Sequence, residues 1–137
     1  MIRYLAAYLG SGLAIAVLDA VWLTQVGPRL YRPRIGAVMM EDGFRLAPAI
    51  IFYLLYVAGV VIFAVAPALR DGRWTTAALM GALFGFFCYA TYDLTNQATL
   101  SVWSTTVTVA DITWGVLLTT CGALAGYLAA GLVGRAG

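Results

Sequence analysis

Residues 47–68 read APAIIFYLLYVAGVVIFAVAPA and contain no charged side chain. Roughly 20 apolar residues suffice to cross a bilayer core as a helix. A backbone in lipid must satisfy its own hydrogen bonds, which selects the helix over irregular chain. Three further stretches, Tyr4–Val26, Thr75–Asn96 and Thr105–Gly131, also exceed 20 residues and are predominantly apolar. The chain is therefore expected to be an all-α integral membrane protein, a four-helix bundle with up-down topology. Its 137 residues form one transmembrane domain in this reading.

The composition agrees. Hydrophobic residues make up 63% of the chain and charged residues 10%, against about 25% charged in soluble domains. Mean hydropathy is +0.91. So few charges cannot cover a soluble domain of this size, so a soluble enzyme, a disordered chain and a disulfide scaffold are excluded. All eight cations are arginine, and there is no histidine. Histidine metal sites and histidine general bases are thereby excluded. A formal charge of +2 gives no basic surface for nucleic acid. The expected partner is the lipid bilayer.

The loops carry most of the charge. The first, Gly27–Leu46, holds Arg29, Arg32, Arg34 and Arg45 with Glu41 and Asp42. The second, Leu69–Trp74, is a tight turn, and the third, Gln97–Ser104, is uncharged. With four spans, Arg3, Arg70, Arg73 and Arg135 share the side of the termini, so the arginine count is tied between the two faces. An even-span protein with short ends points to cytoplasmic termini. The first span is too long for a signal peptide and carries an aspartate, so it is read as retained. Gly131–Gly137 reads as a frayed tail.

Three charges fall inside the spans: Asp19, Asp93 and Asp111. A charge at the bilayer centre costs at least about 2.5–3.5 kcal/mol, and such residues usually face the bundle interior. At 1.5 Å per residue, all three lie about 5–10 Å below the side of loops one and three. They belong to one layer. Asp19 and Trp22 are spaced i, i+3, as are Asp111 and Trp114, so each acid is expected to be braced by its own tryptophan. Tyr89, Tyr92, Asp93 and Asn96 share one face of span three. Tyr53 and Tyr56 enter from span two, and Trp103 from the third loop.

Two interpretations follow. In one, the aromatic donors satisfy buried carboxylates and lock the helices together. In the other, the layer lines a cavity, since aromatic walls with a few convergent polar groups describe a ligand site. Asp93 is then the principal proton-binding or ligand-binding acid, and Asp19 and Asp111 are the second acids. Arg29, Arg32 and Arg34 sit above and gate the site or receive an anionic head group. The favoured function is binding or transport of a small amphiphile or cation. A membrane-embedded enzyme acting on a lipid or isoprenoid, and a structural subunit of an assembly, are the alternatives. No prenyl-diphosphate, phosphate-loop or serine-hydrolase motif is present, and no metal or cofactor is expected.

Gly81 and Gly85 form one GxxxG and Gly122 and Gly126 another. Small residues let helices approach closely in lipid, either within the bundle or at a homodimer face. Cys88 and Cys121 lie about 12 Å apart in depth, too far for a disulfide, and read as packing residues.

The string Tyr89-Ala-Thr-Tyr-Asp-Leu-Thr-Asn96, followed by Ala98-Thr99-Leu100 and Trp103, resembles the signature of a bacterial family of small membrane proteins. So do Leu18-Asp19-Ala-Val-Trp22-Leu23, Phe52-Tyr53-Leu-Leu-Tyr56 and Asp111-Ile-Thr-Trp114-Gly115. The family is the one classed as domain of unknown function 2177. The resemblance spans residues 4 to 130 and implies a four-span protein of the bacterial inner membrane. It implies no activity, substrate or catalytic residue.

Overall fold

A computed structural model describes residues 1–134. Four helices are long and apolar enough to cross a membrane: α1 (Ile2–Leu30), α2 (Leu46–Asp71), α3 (Trp74–Thr99) and α4 (Thr105–Gly134). No strand occurs among the described residues.

All four helices outrun the expected spans. The first continues past Val26 although Pro28 follows closely. Its chain opens into one wide turn over Trp22–Val26, closed by the Gly27 N–H on the Trp22 carbonyl. The same device recurs in α2. A wide turn over Val61–Val65 is closed by the Ala66 N–H on the Val61 carbonyl, and Pro67 comes next. Proline lacks an N–H, and its ring clashes with the carbonyl four residues back. A wide turn just ahead places the ring in a first turn, where no donor is lost. Gly72, at φ 68°, ends α2 in the left-handed conformation, and the Arg73 N–H bonds the Ala68 carbonyl at 3.2 Å. The fourth helix runs to Gly134, so Gly131–Gly134 is helical and not frayed. The rest of that tail, with Arg135, lies outside the described residues.

Helix α4 packs against both α1 and α3, in opposite chain direction to each. Along α1, Gly10 meets Ala125 and Ala129, Ile15 meets Gly122, and Asp19 meets Trp114. Along α3, Gly81 meets Ala123 and Gly85 meets Gly115. A Cβ at Gly85 would stand 2.3 Å from the Gly115 carbonyl oxygen, and one at Gly126 2.2 Å from Ser11 Oγ. Both GxxxG motifs therefore face another helix of the same chain, the intrachain alternative of the two.

The surface is inverted relative to a soluble protein. On α1, Ala7, Ser11, Ile15 and Asp19 recur every four residues and are buried. Leu5, Leu9, Leu13, Val17 and Val21 recur at the same interval and are exposed. Small and polar residues pack helix on helix while large aliphatics cover the outside, which is the arrangement lipid favours.

Candidate functional site

The antiparallel seam between α1 and α4 sets Asp19 beside Trp114 rather than beside Trp22. Asp19 Oδ1 accepts the Trp114 indole N–H at 3.1 Å, and Oδ2 accepts the Tyr53 hydroxyl from α2. The Trp22 N–H donates to the Tyr31 hydroxyl oxygen at 2.7 Å, and Tyr31 donates in turn to Asp111 Oδ1. The expected bracing is thus crossed: neither acid is held by the tryptophan three residues on. The reason is the stacking of the two indoles, with centroids 4.4 Å apart and planes inclined by 7°. Stacked between the helices, each indole presents its N–H to the far strand of the network. The network ties α1, α2, α4 and the first loop together. Burial first, then the hydrogen bond to Asp111, push the Tyr31 hydroxyl above its ordinary 10.0, so it remains a donor.

Below the first loop lies a cavity of about 310 Å³. Asp19, Asp111, Trp22, Tyr31, Tyr53 and Trp114 form its walls, and Ile35, Met39 and Trp103 close its loop side. A larger cavity of about 740 Å³ lies against α2 and α3, among Phe52, Tyr56, Phe84, Phe87 and Cys88. The two share Tyr89, Tyr92 and Asp111. Among the described residues no arginine lines either.

Not every expected residue joins the walls. Asp93 is fully buried, no donor among the described residues reaches either of its oxygens, and it lines neither cavity. Asn96, one turn on, is half-buried and also lines neither. Tyr56 reaches the larger cavity alone, with its hydroxyl 2.6 Å from Thr119 Oγ1. Because Thr119 gives its own proton to the Gly115 carbonyl, also at 2.6 Å, Tyr56 is the donor there.

Arg29, Arg32 and Arg34 are exposed and stand off both cavities. Arg34 donates to the Arg29 and Leu30 carbonyls at 3.3 and 3.2 Å, and Arg32 to the Glu41 carbonyl at 3.3 Å. Carbonyls at a helix end lack partners within the helix, and Arg34 satisfies two of them, whereas Arg32 ties down the loop at Glu41. Trp103 donates to Thr108 Oγ1 at 3.0 Å, Thr108 to Gln97 Oε1 at 2.7 Å, and Gln97 Nε2 to Thr105 Oγ1 at 2.9 Å. This chain of bonds fixes the third loop and sets Trp103 edge-on to Tyr92. Among the described residues no group of three His, Cys, Asp or Glu is placed to hold a metal ion. Both thiols are free. Cys88 is half-buried at the larger cavity, whereas Cys121 is exposed on the outward face of α4 and packs nothing inside.

The model of the family described as "Predicted membrane protein (DUF2177)" matches residues 4–128. The chain belongs to that family. No curated protein and no solved structure matches it.

Sequence reasoning overlooked several residues that organise the site in this DUF2177 member. Tyr31 is the most important. Nine residues separate it from Trp22, half a turn out of phase at about 100° per residue, so helical spacing gives no hint of their contact. The wide turn at Trp22–Val26 shifts that phase. Thr119, Gln97 and Thr108 were hidden by their ordinary role as helix-compatible polar residues. The only available signal was that hydroxyls and amides in lipid need partners.

Proposed function

We propose that this DUF2177 protein binds a small organic cation or cationic amphiphile in the cage bounded by Asp19, Asp111 and their aromatic neighbours. One observation supports this above the rest. Two carboxylates and the indole and phenol rings share one cavity wall that contains no arginine among the described residues. Cation–π attraction to such rings is worth about 0.5–2 kcal/mol per contact, most where water is excluded. The two acids have different work. Asp19 has a donor on each oxygen and frames the cage. Asp111 has a donor on Oδ1 only, leaves Oδ2 without one among the described residues, and faces both cavities. Asp111 is the anion offered to the ligand.

In this reading residues 1–137 are one transmembrane domain crossing a bacterial inner membrane four times in up-down order, with cytoplasmic termini. The antiparallel seams and the helix lengths support the topology. A reporter fused to the C-terminus gives its side.

Binding is tested by titrating tetramethylammonium into the detergent-solubilised protein while following tryptophan emission. Three of the four tryptophans line the cage. A saturable change that is lost in a folded Asp111→Asn is the expected result. Equal binding by that variant would refute the assignment.

A further inference from the structure

We infer that the two cavities form one bipartite site for a single-chain hydrophobic cation: the head group lies in the cage, the chain lies in the larger cavity, and the ligand arrives sideways between α2 and α3. The inference rests on the cage reading above and adds the class of the ligand and its route.

The larger cavity is a cleft in the flank of the protein. Helix α2 packs closely on α3 along Val61–Asp71, and the two part toward the loop-one end. At the vertex the Phe84 ring lies over Gly59, where a Cβ would come within 2.7 Å of it, and stacks on Phe63 with centroids 5.6 Å apart. Above that vertex the walls are Phe52 and Tyr56 on one side and Phe87, Cys88 and Tyr92 on the other. Phe52, Phe87 and Tyr92 are 48%, 63% and 59% exposed, so the rim faces outward, where lipid lies. The floor is Asp111, among the described residues the only ionisable acid or base on the cleft wall other than tyrosine and cysteine.

That combination selects the occupant. An aromatic cleft open to the bilayer accepts an alkyl or polyprenyl chain. A single carboxylate at its inner end, with no arginine among the described residues of the lining, selects a positive head and disfavours a phospholipid phosphate. Tyr89 and Tyr92 belong to both cavities and mark the junction between head and chain. Each cavity, at about 740 and 310 Å³, falls within the range of sites for drug-sized ligands.

Cys88 provides a reporter, since it lines the cleft and the only other cysteine, Cys121, is exposed elsewhere. In Cys121→Ser protein held in nanodiscs, the rate of Cys88 modification by a lipophilic maleimide is read by mass spectrometry. Dodecyltrimethylammonium is expected to slow it tenfold or more. Tetramethylammonium, which has a head and no chain, is expected to change tryptophan emission and leave Cys88 reactive. Dodecanol, which has a chain and no charge, is expected to leave it reactive too. Asp111→Asn should abolish the protection and Asp111→Glu, which keeps the charge, should retain it, separating loss of charge from loss of fold. Protection by dodecanol equal to that by dodecyltrimethylammonium, or protection that survives Asp111→Asn, would overturn the inference. A tetramethylammonium response without protection of Cys88 by the long-chain cation overturns the bipartite site alone, and the cage stands. Absence of both responses overturns the cage as well.

Discussion

Replacing Tyr31 with phenylalanine removes one oxygen and two hydrogen bonds. The ring stays, so its packing against Gly27 is kept, with the nearest ring carbon 3.5 Å from the Cβ position there. The lost bonds are the one accepted from Trp22 at 2.7 Å and the one donated to Asp111. A neutral bond contributes about 0.5–1.5 kcal/mol and one to a charged group about 1.5–3 kcal/mol in water-soluble proteins. Side-chain bonds within membranes average nearer 0.6 kcal/mol, because the unfolded state in lipid also finds partners. The expected destabilisation is therefore about 1–3 kcal/mol. It is measured by unfolding in graded mixtures of dodecyl sulfate and dodecyl maltoside, followed by circular dichroism. A double-mutant cycle with Trp22→Phe isolates the Trp22–Tyr31 bond, with an expected coupling of about 0.6–1.7 kcal/mol. Stability within about 0.3 kcal/mol of wild type, or additivity in the cycle, would refute the network as a source of stability.

Other consequences can be measured in the same assay. The raised Tyr31 pKa means that its contribution is fully present below the ordinary 10.0 and is lost as pH climbs through the raised value. The gap between wild type and Tyr31→Phe should be level from about pH 6 to 9 and narrow above about pH 10. A gap that widens there would contradict the donor assignment. Ser11 Oγ is buried without a partner, so Ser11→Ala should be neutral or stabilising by up to about 1 kcal/mol. Ser11→Val should be clearly destabilising, because the hydroxyl already fills the space over Gly126. Gly85→Ala would drive a Cβ into the Gly115 carbonyl and Thr119 Oγ1, at 2.3 and 2.6 Å. Backbone cannot rotate away, so α3 and α4 must separate at a cost of about 1–3 kcal/mol, seen as a lowered unfolding midpoint.

What the sequence revealed and what it hid divide by range. Long apolar runs identify four helices because lipid penalises every unpaired backbone group, and each of the four appears. Depth counting placed Asp19 and Asp111 together because rise per residue is constant along a helix, and both line one cavity. Rotation about the axis was less legible. Tyr89, Tyr92 and Asp93 are near neighbours on α3, yet the tyrosines line the cavities while Asp93 turns inward. Pairing across helices was not legible at all. The exchange of Trp22 and Trp114 between the two acids depends on an interhelical stack, and no spacing within one helix encodes it. The end of the first span was misplaced: it was expected at Val26, but a wide turn ahead of Pro28 lets α1 continue to Leu30.

That wide turn sets a rule for changes in chain length. It holds one residue more than a regular turn, so deleting a residue such as Thr24 would restore ordinary winding and not break the helix. Everything before Trp22, including the seam of Gly10, Ile15 and Asp19 against α4, would keep its register. Everything after it would keep its facing as well, Tyr31 toward Asp111 included, because the wide turn already absorbs the extra residue, whereas a deletion within the regular helix would swing the rest by about 100°. The chain thus has a point where one residue can be gained or lost without dismantling the bundle. It lies between the part that holds the carboxylates and the part that covers them.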